Sequence, residues 1–186
     1  ELTGLPTEPA MRYGQPDTTA ALDYLMSKNN RLHEVVVFPL FPQYAESSYK
    51  TAGDQVGKEF FKRPYPFRLK FIEPYFNHPA YISALAESIR PYIEKEYDKI
   101  IFSFHSLPLD HVEEGWKKGK EFDYVYQTKE TVRLVIKELG IDTKKTRQTY
   151  HSAMGKKWLG PDLDEIVKEL AEEGQKKLLV VALGFA

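Results

Sequence analysis

His105 is the residue with the clearest potential for chemistry in this sequence. It lies in segment 103–108, which reads Ser-Phe-His-Ser-Leu-Pro and directly follows the apolar run 100–102. An imidazole at that position can accept a proton near neutral pH or bind a divalent metal. A structural histidine at the end of a buried strand would give the same pattern, so spacing alone leaves both interpretations open.

The other four histidines carry weaker signals. His151 follows a weaker strand candidate, residues 147–150, and a structural role is favoured for it. His33, His78 and His111 have the surroundings of surface or turn residues. No pair has a zinc spacing such as His-Glu-x-x-His.

Composition excludes several classes of chemistry. The 186 residues contain no cysteine, which excludes disulfides, thiolate zinc sites, cysteine catalysis and an iron–sulfur cluster in this segment. A net charge of −1 argues against a nucleic-acid partner. The phosphate-binding patterns G-x-x-x-x-G-K-[ST] and G-x-G-x-x-G are absent, as is the G-x-S-x-G elbow of α/β-hydrolases.

The elements that must position these residues alternate along the chain. Short apolar runs of the kind buried on both faces of a parallel sheet predict strands at 35–38, 69–72, 100–102 and 178–183. Apolar spacing and capping residues predict helices over 17–27, 48–61, 79–97, 132–139 and 163–170. Alternation of this kind predicts an α/β fold with an open, doubly wound parallel sheet.

In such sheets, ligands bind beyond the carboxyl ends of the strands. Segments 39–48, 103–108 and 151–161 follow three strand candidates and are rich in aromatic side chains, serine and histidine, with little formal charge. With 12 tyrosines, 11 phenylalanines and 2 tryptophans in the chain, this composition suits a flat, largely apolar ligand held by a few polar groups.

Four segments in order resemble the ferrochelatase family. Segment 103–108 resembles the family's S-[AFY]-H-[GS]-[LI]-P motif, and Met11-Arg12-Tyr13 resembles its M-R-Y segment. Residues 39–44 (Pro-Leu-Phe-Pro-Gln-Tyr), with Ser47 nearby, are similar to its P-L-[YF]-P-Q-[YF] stretch. Residues 152–161 resemble its Q-S-[RK]-x-G-x-x-x-W-L-x-P segment after the first residue.

The resemblance implies an enzyme, a lyase that inserts Fe²⁺ as a substrate into a porphyrin during haem biosynthesis. It implies that His105 is the catalytic residue, as metal ligand and proton acceptor. The substrate-binding residues that it implies are Met11, Arg12, Tyr13, Ser47, Ser106, Leu107, Pro108, Ser152 and Trp158. The motifs do not distinguish protoporphyrin IX from coproporphyrin III.

The resemblance also predicts the organisation of the chain. Residues 1–76 would be the C-terminal part of a first Rossmann-like, chelatase-type half, and residues 77–186 most of a second, both incomplete. The family continues past Gly184 and Phe185 into an acidic segment with a glutamate opposite the histidine. We therefore expect an internal fragment that lacks both termini and has little or no turnover by itself.

Departures from the family pattern keep alternatives open. The family usually has Gln where this chain has His151, and Arg or Lys where it has Ala153; Tyr49 replaces the third residue of a Ser-Thr-Thr cluster. One alternative is a non-catalytic tetrapyrrole-binding module, which would follow from the family's glutamate and first strands being missing from this segment. The other is a cobalt or nickel chelatase, because a site built on histidine does not select iron by itself.

The expected cellular location follows from two features that the sequence lacks. Without a signal peptide or an apolar run near 20 residues, we expect a cytoplasmic location. A greasy porphyrin is compatible with peripheral membrane contact, although no basic amphipathic helix supports it. The sequence does not specify the oligomeric state.

Overall fold

The computed structural model describes residues 4–29 and 31–183 and confirms the α/β fold. The strands are β1 (Glu34–Val37), β2 (Arg68–Phe71), β3 (Lys99–His105), β4 (Thr146–His151) and β5 (Leu178–Ala182). The helices are α1 (Thr18–Lys28), α2 (Thr51–Phe60), α3 (Pro79–Ile93), α4 (Leu109–Lys118), α5 (Tyr124–Leu139) and α6 (Leu163–Glu172).

Both sheets are parallel, as the alternation of elements predicts. β1 pairs with β2, and in the second sheet β3 lies between β4 and β5. Parallel neighbours need crossover connections: α2 connects β1 to β2, α4 and α5 connect β3 to β4, and α6 connects β4 to β5.

The chain divides into two compact units. Unit 1 comprises residues 1–42 and 46–74, and unit 2 comprises residues 43–45 and 75–186. Each unit contains one of the two sheets. The assignment of 1–76 and 77–186 to two Rossmann-like halves stays a prediction, and Gly184 and Phe185 lie outside the described residues.

The core of unit 2 is built on β3. Ile100, Ile101, Phe102 and Phe104 are completely buried, because β3 has a strand on each side and helices packed on the sheet. Phe102 and Phe104 belong to an apolar cluster that also contains residues of α3 and α5, including Ile89 and Val135. For this central strand, the prediction of burial on both faces is confirmed.

The prediction of burial on both faces is wrong for the other apolar strands. In unit 1, Val35 packs with Leu22 and Phe67, but Val36 is 52% exposed on the opposite face of β1. Among the described residues, the apolar cluster of unit 1 covers the face of β1 that carries Val35 and leaves the Val36 face exposed, so this sheet is buried on one face. In β2 the exposed and half-buried side chains alternate, and at the edge of the other sheet Val180 of β5 is 45% exposed.

Most helix boundaries follow local capping chemistry. Asp17 and Asp162 accept backbone N–H bonds at the starts of α1 and α6. Gly140 ends α5 in the left-handed conformation, with φ of 65°. The predicted helix 79–97 ends earlier, at Ile93, two residues after Pro91. The predicted helix 48–61 starts with a π-helical turn, Glu46–Lys50, before α2.

Helix α4 is not predicted by the sequence patterns. This helix is rich in charged side chains, and among its residues only Val112 and Gly115 are buried. A Cβ at Gly115 would collide with the backbone carbonyl of Phe122, so glycine allows α4 to approach the turn that follows it. In the described part of the chain, no helix has the length and apolar character needed to cross a membrane.

Candidate active site

His105 is the last residue of β3, at the carboxyl end of the most buried strand. Its side chain is half-buried, while Phe104 and Ser106 on either side are buried. The Tyr124 hydroxyl donates to the His105 backbone carbonyl at 2.9 Å. Burial of the strand and this hydrogen bond fix the backbone that carries the imidazole, which is the preorganisation that a reactive group needs.

His151 lies next to His105, at the end of β4. The two residues are partners in the parallel register, and their ring centroids are 5.9 Å apart. The Ser103 hydroxyl and Nδ1 of His151 form a hydrogen bond of 2.8 Å. Burial lowers the pKa of His151 below its usual 6.5, and the nearby charge of His105 lowers it further. His151 is therefore neutral at neutral pH.

The loops after β3 and β4 are joined by their backbones. Ser106 N–H donates to the His151 carbonyl at 2.8 Å, and Leu159 N–H donates to the Leu107 carbonyl at 2.9 Å. The fully buried Ser106 hydroxyl donates to the Leu159 carbonyl at 2.7 Å. Pro108 and Trp158 form an antiparallel bridge. The structure thus brings His105, Ser106, Leu107, Pro108 and Trp158 together within unit 2.

Ser152 directly follows His151 in the chain and is exposed. Its φ of 62° is positive, which is uncommon for a residue other than glycine. Such backbone strain often accompanies functional loops. Direct contacts of Ser106, Leu107, Pro108, Ser152 and Trp158 with a substrate stay predictions.

Another group of predicted residues lies within unit 1. The Arg12 guanidinium donates to the Ser47 carbonyl at 3.1 Å and to the Thr51 hydroxyl at 2.7 Å. It also lies 4.9 Å from the centroid of the Tyr13 ring. Met11 is 50% exposed and Tyr13 is 77% exposed. The segment thus combines a cation with two exposed apolar side chains, and its contact with a ligand stays a prediction.

Three positioning residues were missed from the sequence. Ser103 holds His151, Tyr124 holds the end of β3, and Gln127 links several backbone segments. Gln127 Oε1 accepts from Tyr44 N–H at 2.7 Å, and its amide donates to the Glu121 carbonyl at 2.9 Å and to the Lys120 carbonyl at 3.2 Å. Strand alternation could have revealed Ser103, because residues i and i+2 share one face of a strand.

The donors available to a metal are few. No cluster of three or more His, Cys, Asp or Glu suited to a metal ion occurs among residues 4–29 and 31–183. His105 and His151 offer two imidazoles at one sheet edge. A metal at this edge would therefore keep other ligands, such as water or the nitrogens of a substrate.

Comparisons with known proteins agree with the order of the motifs. A sequence model of the family described as ferrochelatase matches residues 2–186. A ferrochelatase of Pseudomonas putida is 34% identical over 97% of this chain and 58% of its own length. Ferrochelatases of Porphyromonas gingivalis and Brucella anthropi are 32% and 33% identical over 98% and 95% of this chain.

The coverage of the relatives is partial. The chain spans 58% of the length of the Pseudomonas protein, 57% of the Porphyromonas protein and 49% of the Brucella protein. The match nevertheless covers almost every residue of this chain, including the segment around His105. This chain belongs to the ferrochelatase family.

Proposed function

We propose that the protein carrying this chain inserts Fe²⁺ into a porphyrin, with His105 as metal ligand and proton acceptor. The observation that carries this proposal is the position of His105, half-buried at the carboxyl end of a completely buried central strand. Ligand sites of parallel sheets form at that edge. Membership of the ferrochelatase family supports the same reaction.

The reaction demands what an imidazole supplies. A free porphyrin carries two pyrrole N–H protons, and both must leave when Fe²⁺ binds the four nitrogens, so one Fe²⁺ enters and two H⁺ are released. A neutral imidazole nitrogen can bind the metal or accept a proton, but its lone pair cannot do both at once. His105 therefore releases the metal before the same nitrogen takes up one of the two protons, and the other proton passes to water.

We propose porphyrin-binding roles for two groups of residues, each taken within its own unit. Arg12 offers a fixed cation for a propionate carboxylate, and Met11 and Tyr13 offer exposed apolar surface. Ser47 is exposed beside Arg12, and Pro108, Ser152 and Trp158 follow the two histidine-bearing strands. The buried Ser106 and Leu107 hold the loop that carries Pro108.

We propose a porphyrin of either type and iron as the two substrates. Protoporphyrin IX and coproporphyrin III both carry propionates and a flat apolar ring, so both fit the same proposed contacts. Iron is the proposed metal because of the family. Since the chain spans 58% of a relative's length, we expect the 186-residue chain alone to have little turnover.

The test is a metal-insertion assay on the full-length protein with Fe²⁺, Co²⁺ and Ni²⁺ and each porphyrin. We expect Fe²⁺ insertion by the wild type and a loss of about 100-fold or more in kcat for His105→Ala, the size expected when an acid–base group is removed. His33→Ala is the matched control, because His33 is an exposed histidine in unit 1.

Each outcome separates the proposed function from an alternative. Insertion of Co²⁺ or Ni²⁺ but not Fe²⁺ would identify a different chelatase. Porphyrin binding without insertion of any metal would identify a binding module. Undiminished Fe²⁺ insertion by His105→Ala would show that His105 has no role in the reaction.

A further inference from the structure

His151 lies beside His105 at the carboxyl end of the sheet. In the parallel pairing of β3 and β4, His105 is opposite His151 and Ser103 is opposite Thr149. Side chains of register partners in a parallel pair project from the same face of the sheet. The sheet therefore presents two imidazoles side by side, each at the end of its strand.

The separation of the two rings is compatible with one shared metal ion. A metal lies about 2.0–2.1 Å from an imidazole nitrogen, so two rings on one metal have centroids at most roughly 6.4 Å apart. The centroids of His105 and His151 are 5.9 Å apart.

The backbones on both sides of this pair are fixed. The Tyr124 hydroxyl holds the His105 carbonyl, and the Ser106 N–H holds the His151 carbonyl. Two ligands on rigid, adjacent strands lose little conformational freedom when a metal binds.

Ser103 gives His151 the support typical of a metal-binding histidine. Such a histidine usually donates its other ring N–H to an oxygen, which fixes the tautomer and the orientation of the ring. The Ser103 hydroxyl contacts Nδ1 of His151 at 2.8 Å, and Ser103 is itself completely buried. When Nδ1–H donates to this oxygen, the lone pair lies on Nε2, which is a buried atom.

We propose that His105 and His151 together bind the divalent metal substrate before its transfer, with His151 ligating through Nε2 and Ser103 fixing its tautomer. The inference rests on the proposed role of His105 as a metal ligand. Two protein ligands leave the remaining positions to water or to porphyrin nitrogens, so the ion can leave the pair as the macrocycle takes over its coordination. Metal binding exchanges water for imidazole, and no electron is transferred.

The experiment uses Co²⁺ as the probe on the full-length protein, without porphyrin. Paramagnetic NMR counts the imidazole rings whose signals Co²⁺ shifts, and titration gives the affinity. We expect two shifted rings in the wild type and one in His151→Gln, in which the residue usual for the family replaces the histidine. Affinity should fall by at least as much as the 10–100-fold that loss of a supporting partner costs.

Ser103 and Thr149 provide a matched pair of variants. Both hydroxyls are completely buried and the two residues are register partners. Ser103 contacts His151, whereas the Thr149 hydroxyl has no hydrogen-bond partner among the residues that the structure describes. We expect Ser103→Ala to weaken Co²⁺ binding on the order of 10–100-fold and Thr149→Val to leave it unchanged.

The outcomes distinguish this inference from the proposed function. A single shifted ring in the wild type, wild-type affinity in His151→Gln, or no Co²⁺ binding would overturn the two-histidine site. If the two-histidine site is overturned in this way but His105→Ala loses Fe²⁺ insertion, the proposed function still stands. Circular dichroism of each variant without metal controls for folding.

Discussion

Strands β1 and β3 have similar apolar sequences but very different surroundings. β3 lies between two strands, and its residues from Ile100 to Phe104 are buried. β1 has a single neighbour within the described residues, and the residue that follows it, Phe38, is 53% exposed. What packs against the two faces of the sheet, rather than the apolar run itself, decides whether a strand is buried on both faces.

The same difference extends to the residues beyond each strand. After β3, His105 is half-buried and its backbone is held by a hydrogen bond from Tyr124. After β1, Leu40 is 73% exposed, and nearby Arg12 binds the Ser47 carbonyl at an exposed position. Unit 2 thus offers a rigid setting for chemistry, and unit 1 offers an exposed apolar and cationic surface.

The largest expected contrast is in the free energy of unfolding when one phenylalanine of each region is truncated. Phe102→Ala removes a fully buried ring from β3 and should destabilise by about 3–5 kcal/mol. Phe38→Ala removes a half-exposed ring and should cost about 1 kcal/mol or less. Urea denaturation measures the free energy of unfolding of both variants, and equal losses would contradict the difference in burial between β3 and the residue after β1.

A second prediction concerns the buried hydrogen bonds of unit 2. Gln127→Leu leaves the Tyr44 N–H and two backbone carbonyls without their partner in a buried place. We expect a loss of about 3 kcal/mol or more, since three groups lose their partner and each unsatisfied buried group costs about 1–3 kcal/mol. Gln55→Leu is the control, because this glutamine binds the Glu59 carboxylate in unit 1; a similar loss there would contradict the role of burial.

Arg12 tests the surface of unit 1 with a smaller effect on stability. Arg12→Lys keeps the charge but loses the planar group that binds the Ser47 carbonyl and the Thr51 hydroxyl. Because the site is exposed, the free energy of unfolding should change by less than about 1 kcal/mol. Porphyrin affinity, measured by fluorescence quenching, should weaken. Unchanged affinity would argue against Arg12 as a porphyrin contact.

The smallest effect is a pH dependence of stability from His151. Its pKa is lowered in the folded protein, so the unfolded chain binds the proton more readily. The contribution to stability is therefore present above the ordinary pKa of 6.5 and is lost as pH falls through that value, until the folded state also takes up the proton. Urea denaturation at pH 7.5 and 5.5 should show that the free energy of unfolding falls more in the wild type than in His151→Gln. Equal falls in the two proteins would contradict a role of His151 in this pH dependence.

Sequence patterns predicted the α/β alternation and the position of His105, because strand 100–102 and the caps Asp17, Asp162 and Gly140 are determined locally. They did not predict the exposure of Val36, which depends on what packs against its face of the sheet. The contact between Ser103 and His151 depends on the β3–β4 register, which joins residues 48 positions apart.

In the proposed function, the histidine at the end of β3 carries the metal chemistry. The most direct measurement compares kcat for Fe²⁺ insertion by full-length His105→Ala and His33→Ala, with porphyrin binding measured in parallel. We predict that His105→Ala binds porphyrin and inserts iron about 100-fold or more slowly, while His33→Ala equals the wild type. Equal kcat in both variants would contradict the account.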